Sequence, residues 1–118
     1  MKIEIQIKAL KDMPYQGEFD FYDYREDGTL FFEVADLGNP HLTKVMLIHA
    51  IVEELLATYQ EITSKVITDF DIAYKGDGEP GEELDCPYRE AHLMAKGIEM
   101  ILLAKMGIPL KTYEGLMR

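Results

Sequence analysis

The sequence predicts an α+β domain, on the evidence of a change in hydrophobic period and of the chain length. Apolar residues alternate with polar ones up to about residue 37, as in half-buried strands. From residue 39 they recur every three or four positions, as in amphipathic helices. The 118 residues suit one domain with a single core, divided into a β-sheet part over 1–37 and a helical part over 39–118.

Three strands are expected in the first part, and we predict that they form a small antiparallel sheet. The segments that show strand alternation are 2–8, 17–24 and 29–36. The first places Ile3, Ile5 and Ile7 on one face and polar residues on the other. The last two are separated by Asp27-Gly28, a strong hairpin-turn signal.

Helical spacing begins at Asn39-Pro40, which fits an N-cap followed by proline in the first turn. A short helix is expected from about 63 to 74, followed by an acidic, glycine-rich loop over 76–86. The sheet is therefore expected to pack on two long helices, 40–60 and 87–106, with the short helix between them. The predicted inner face of the first long helix consists of Leu42, Val45, Ile48, His49, Val52, Leu55, Leu56 and Tyr59.

The formal charge of −10 is concentrated in two acidic segments. Eight acids against one arginine give segment 12–36 a net charge of −7, and eight acids against two basic residues give segment 69–90 a net charge of −6. Binding to nucleic acid through its phosphates requires a basic face, so no direct nucleic-acid contact is expected. Such charge is typical of a solvated surface, and the sharper hypothesis is a surface that binds a basic protein partner or imitates DNA.

The sequence also predicts a cytoplasmic protein without a membrane segment. Residues 1–8 lack the features of a signal peptide, and no apolar run reaches the roughly 18–20 residues that span a bilayer. A single cysteine, Cys86, cannot form an internal disulfide, which agrees with a reducing compartment. Nucleotide cofactors are not indicated, because the chain has neither a phosphate-binding loop nor a dinucleotide fingerprint.

Two histidines with nearby carboxylates form the candidate site. His49 and Glu53 are one helical turn apart on an expected inner face, and His92 and Glu99 lie on the last long helix. His49, Glu53 and His92 would give Zn²⁺ or another first-row divalent ion three ligands, with a fourth position open to water. The alternative is a buried polar network in which the imidazoles and carboxylates satisfy one another.

Several segments resemble a group of small bacterial and bacteriophage proteins with a helical HELVE-type motif, an acidic EPGD-like loop and PYxxxH. The resemblance would place the protein in a host cytoplasm if a phage encodes it. The matching segments are IHAIVEELL (48–56), ITDFDIAY (67–74), GEPGEELDCPYREAH (78–92) and AKGIEMILLAKMGI (95–108). The resemblance carries no activity with it, and it marks as positions of interest His49, Glu53, Asp71, Tyr88, His92 and Glu99.

One departure from that group bears on catalysis. Ala50 follows the motif histidine, where the group usually has the glutamate that acts as general base in zinc peptidases of the H-E-x-x-H kind. Peptidase chemistry by that route is therefore not expected, and an acid–base role would fall to Glu99, Asp71 or Tyr88. Two functions stay open: a metal-binding, zincin-like protein, and an acidic, non-enzymatic interaction protein whose cluster is purely structural.

Overall fold

The computed structural model describes residues 1–15 and 17–117. It has the predicted α+β class, with a three-stranded sheet at the N-terminus and helices after residue 39. Single turns of 3₁₀ helix lie at Leu10–Asp12 and Pro80–Glu82. The strands and helices are β1 (Ile3–Lys8), β2 (Asp20–Tyr24), β3 (Leu30–Ala35), α1 (Pro40–Tyr59), α2 (Ser64–Ala73), α3 (Arg89–Met106) and α4 (Leu110–Gly115).

The sheet is mixed, with strand order β1-β3-β2. β2 and β3 form the predicted antiparallel hairpin, closed by a hydrogen bond from the Arg25 N–H to the Thr29 carbonyl. β1 instead pairs parallel with β3, with Ile3 beside Leu30. The antiparallel prediction is therefore correct for β2 and β3 and wrong for β1. Side chains alternate in the same way in parallel and antiparallel strands, so the pattern could not distinguish the two.

One face of the sheet packs against the helices. On β3 this face consists of Leu30, Phe32 and Val34, which are all buried. Tyr22 of β2 lies beside Phe32 and joins the same core cluster. Because alternate residues of a strand share a face, Asp20 also lies on the helix side of β2.

Helix α1 begins as predicted and buries part of the predicted face, including Leu42, Val45 and His49. The Asn39 side chain accepts hydrogen bonds from the backbone N–H groups of His41 and Leu42. Ile48 and Tyr59, predicted to face inward, are exposed, as is Leu55. The helix is apolar on nearly all sides, so its sequence period does not select one face. The buried residues are Leu42, Thr43, Val45, Met46, His49, Ala50, Glu53 and Ala57.

Helix α3 packs along α1 and ends at Gly107, as predicted. Gly107 adopts a left-handed conformation with φ of 71°, and the next N–H, that of Ile108, returns to the Leu103 carbonyl. The sequence analysis did not predict α4, whose six residues are too few for a clear period; it places Tyr113 in the core. Among the described residues, no helix is both long and apolar enough to cross a membrane.

Candidate metal centre

The facing sides of α1 and α3 bring His49, Glu53 and His92 together. The Nε2 atom of His49 lies 3.1 Å from Oε2 of Glu53, and the Nδ1 atom of His92 lies 3.2 Å from the same oxygen. The three side chains are buried, and one atom of each lies within 4.8 Å of the others. The prediction that these residues share one contact shell is confirmed.

The spacing of these atoms matches what a small tetrahedral ion requires. Ligand atoms about 2.0–2.1 Å from Zn²⁺ in tetrahedral geometry lie about 3.3 Å from one another. The two contacts of the Glu53 oxygen, 3.1 and 3.2 Å, are close to that value. Two of the three ligand spacings therefore already fit such an ion.

The remaining nitrogen of each imidazole faces a second carboxylate. On His49, Nδ1 is hydrogen-bonded to Oε1 of Glu99. On His92, Nε2 is buried without a hydrogen-bond partner among the described residues, and its nearest carboxylate oxygen, on Glu79, is 3.9 Å away. Metal-binding histidines commonly donate their second N–H to a carboxylate, which fixes the ring orientation and makes the ligand nitrogen more basic.

In the metal-free protein, the two imidazoles are held in their charged form. Burial alone would lower both histidine pKa values, but the hydrogen bonds with Glu53, the Glu99 carboxylate bonded to His49 and the Glu79 carboxylate near His92 outweigh it. They raise the pKa of His49 well above its usual value and that of His92 to about 9. Burial opposes ionisation of Glu53 as well, yet the two imidazoles lower its pKa to about 2. Positive charge is therefore stabilised at the place where an ion would sit.

Two further predicted site residues, Asp71 and Tyr88, pair with each other. The Tyr88 hydroxyl donates a hydrogen bond to Asp71, and the Tyr88 ring lies edge-on to that of His92 at 6.3 Å. Burial raises the pKa of Asp71 to about 6, against the lowering effect of the Tyr88 hydrogen bond. The structure therefore places all six predicted residues around one cleft.

The cleft contains acids that the sequence analysis did not select. Its volume is about 510 Å³, and it opens from the His–Glu cluster toward α4 and the loop before α3. Asp20 enters it from β2, and burial raises the pKa of Asp20 to about 7. The alternation of segment 17–24 indicated only that Asp20 and Tyr22 share a face. The other charged residues missed in the lining are Glu18, Asp77, Glu79, Glu82, Lys96 and Glu114.

The acidic loop over 76–86 covers His92. Its 3₁₀ turn places the buried Gly81 directly on the imidazole, where a Cβ atom would lie 2.3 Å from Cγ of His92. Lys96 of α3 holds this turn through two ion pairs, with Nζ 2.7 Å from a carboxylate oxygen of Glu79 and 3.1 Å from one of Glu82. The ammonium group of Lys96 already supplies a cation to the second possible metal group, which is formed by Glu79, Glu82 and His92.

Comparison with known proteins does not assign the chain to a family. The chain matches no protein-family model, no curated protein and no solved structure. The resemblance to small bacterial and phage proteins stays a prediction.

Proposed function

We propose that this protein binds a divalent metal ion through His49 Nε2, Glu53 Oε2 and His92 Nδ1. The observation that carries the proposal is the arrangement around each imidazole. One nitrogen of each ring points to the shared Glu53 oxygen at 3.1–3.2 Å, and the other faces a separate carboxylate. A histidine in a structural polar pair needs one carboxylate; a histidine with a carboxylate on each side suits a metal ligand with its orienting acid.

The charge of the cleft supports the same proposal. Seven carboxylates line the cleft, apart from the Glu79 and Glu82 pair that Lys96 contacts. Even with both imidazoles protonated, the acids exceed the positive charges. Bringing so many carboxylates into a partly buried cleft is costly unless protons or a cation balance them. The seven are Glu18, Asp20, Glu53, Asp71, Asp77, Glu99 and Glu114.

The donor set points to a first-row transition ion rather than to calcium. Two imidazole nitrogens and one carboxylate oxygen suit Zn²⁺ and its neighbours, whereas Ca²⁺ takes six to eight oxygen ligands. In the metal-bound protein, Glu99 would orient His49 and Glu79 would orient His92. The ion would leave one coordination position facing the cleft, where it can hold water.

Metal analysis of the purified protein tests the proposal. The untagged protein, prepared without chelator, is expected to contain about one equivalent of divalent metal by elemental analysis. His49→Ala is expected to abolish that content, because loss of one of three ligands removes the preorganised site. His41→Ala is the matched control, since His41 lies exposed in the first turn of the same helix.

Folding is checked alongside metal content. Circular dichroism and thermal melting in the presence of chelator show whether each variant keeps the fold. A metal-free wild type that also fails to bind added Zn²⁺, Mn²⁺ or Fe²⁺ would overturn the proposal. The His–Glu cluster would then be a structural network, and His49→Ala would lower only the free energy of unfolding, by about 1–3 kcal/mol.

A further inference from the structure

Strand β1 is an edge strand, and no other described strand pairs with its free side. The carbonyls of Lys2 and Lys8 accept hydrogen bonds from the β3 side, which fixes the even-numbered residues as those that bond to β3. In a parallel pair the N–H and C=O of one residue point to the same side. The N–H and C=O groups of Ile3, Ile5 and Ile7 therefore point away from the sheet.

The side chains of the same three residues form an uncovered apolar face. Ile3, Ile5 and Ile7 lie on the helix side of the sheet, yet they are 54%, 50% and 46% exposed because α1 lies over β2 and β3. Ile7 shares a cleft with Leu47 on the adjacent flank of α1. The exposed Ile51 and Leu55 continue that flank at one-turn spacing.

We propose that β1 pairs antiparallel with β1 of a second copy of this chain, about a two-fold axis at Gln6. The two sheets would join into one of six strands. Ile5 of each copy would face Ile7 of the other, and both residues carry the outward-pointing N–H and C=O that such a pair exchanges. The isoleucines of both strands would then cover one another between the two α1 helices.

Charge selects this register over its neighbours. An axis at Gln6 places Glu4 of each copy opposite Lys8 of the other, giving two attractive pairs on the outer face. An axis at Ile5 would instead place Lys2 of each copy opposite Lys8 of the other. An axis at Glu4 would place the two Glu4 side chains opposite each other. A charged edge strand normally repels partners, but here the charges fit a second copy of the same strand. Within one copy Glu4 already pairs with Arg25 and Lys8 with Glu33, so each pair across the axis would extend an existing ion pair.

The location of β1 also suits self-association in an acidic protein. It lies outside both acidic segments, and residues 1–11 contain three lysines and one glutamate. Pairing through β1 therefore keeps the two acidic clefts apart. The α1 flank contributes a further lysine, Lys44, at the end of the groove beside Ile7.

Charge reversal at the paired positions tests the proposal and its register. The wild type is expected to sediment as a dimer at micromolar concentration. In a dimer of Glu4→Lys, lysine would face lysine at both pairs of positions 4 and 8. In a dimer of Lys8→Glu, glutamate would face glutamate at both. The dimer dissociation constant of each variant alone is therefore expected to be about tenfold higher. An equimolar mixture of the two variants restores both attractive pairs and is expected to regain the wild-type dissociation constant as a heterodimer.

Backbone pairing is tested at Ile5. Ile5→Pro removes an N–H that makes no bond to β3, so the fold is retained, but the edge can no longer pair and the protein is expected to be monomeric. In the wild type, hydrogen exchange at the amides of Ile5 and Ile7 is expected to slow as protein concentration rises. A wild type that stays monomeric at several hundred micromolar, or single charge variants that dimerise as well as the wild type, would overturn the proposal.

Discussion

Gly81→Ala is the substitution with the sharpest predicted effect on the site. A Cβ atom at Gly81 would lie 2.3 Å from Cγ and 2.5 Å from Nδ1 of His92. Ordinary carbon contacts are about 3.5–4.0 Å, so the loop or the ring must move by about 1 Å or more. The atom most closely approached after Cγ is the nitrogen that we propose as a metal ligand.

The expected result is a loss of metal affinity that exceeds the loss of stability. Overpacking of this kind costs about 1–3 kcal/mol of folding free energy, measured by urea unfolding with chelator present. Displacement of a ligand or its support typically lowers metal affinity about 10–100-fold, measured by competition with a chromophoric chelator. The comparison separates damage to the site from damage to the fold.

Gly97→Ala is the matched control. Gly97 lies in α3, five residues beyond His92, and a Cβ atom there would meet nothing within 4 Å. Alanine is expected to raise the free energy of unfolding by about 0.5–1 kcal/mol and to leave metal affinity unchanged. If Gly81→Ala bound metal as tightly as Gly97→Ala does, the proposed role of His92 Nδ1 would be refuted.

Three further predictions concern the cap of α1, the two site histidines and Asp20. Asn39→Ala removes the acceptor that caps α1 and should lower the free energy of unfolding by about 1 kcal/mol in urea titrations, with metal content unchanged. With chelator present, the raised pKa values of His49 and His92 stabilise the fold fully below about pH 6.5, so thermal melts should show that stability falls as the pH rises toward 9. The affinity for added Zn²⁺ should rise over the same pH range, because the ligands must lose protons to bind the ion. Asp20→Asn should raise the melting temperature of the metal-free protein at pH 8 but not at pH 4, because burial raises the pKa of Asp20 to about 7 and so disfavours the ionised form; equal effects at both pH values would contradict that account.

The sequence predicted the secondary structure of this protein better than its packing. The bounds of α1 and the end of α3 follow from local signals at Asn39 and Gly107, which act within one turn of the chain. The parallel pairing of β1 and the buried face of α1 depend on neighbours that are distant in sequence. For that reason the alternation of β1 predicted an isoleucine face that packs on the core, although Ile5 is 50% exposed, and the pattern of α1 predicted that Ile48 faces inward, although it is exposed.

In the candidate site too, the features set by local spacing could be predicted, and those set by distant packing could not. His49, Glu53 and His92 could be predicted because spacing along a helix places the first pair, and because buried polar groups on facing helices must find partners. Asp20 could not, because its role depends on which face of β2 meets the helices. The role of Gly81 could not be predicted either, because only the fold shows that the absence of a side chain there leaves room for His92.

The position of Ala50 limits the chemistry that a metal at this site can support. Ala50 is fully buried in the cluster that contains Tyr22 and Phe32, so this position of α1 faces the sheet and not the cleft. A water-activating acid must therefore come from another element. Asp71 is bonded to Tyr88, whereas Asp20 enters the cleft from β2 with a pKa of about 7, close to that of an effective general base at neutral pH. Such a base would come from the sheet and the ligands from the helices, whereas in zinc peptidases of the H-E-x-x-H kind the base lies beside a ligand histidine on the same helix.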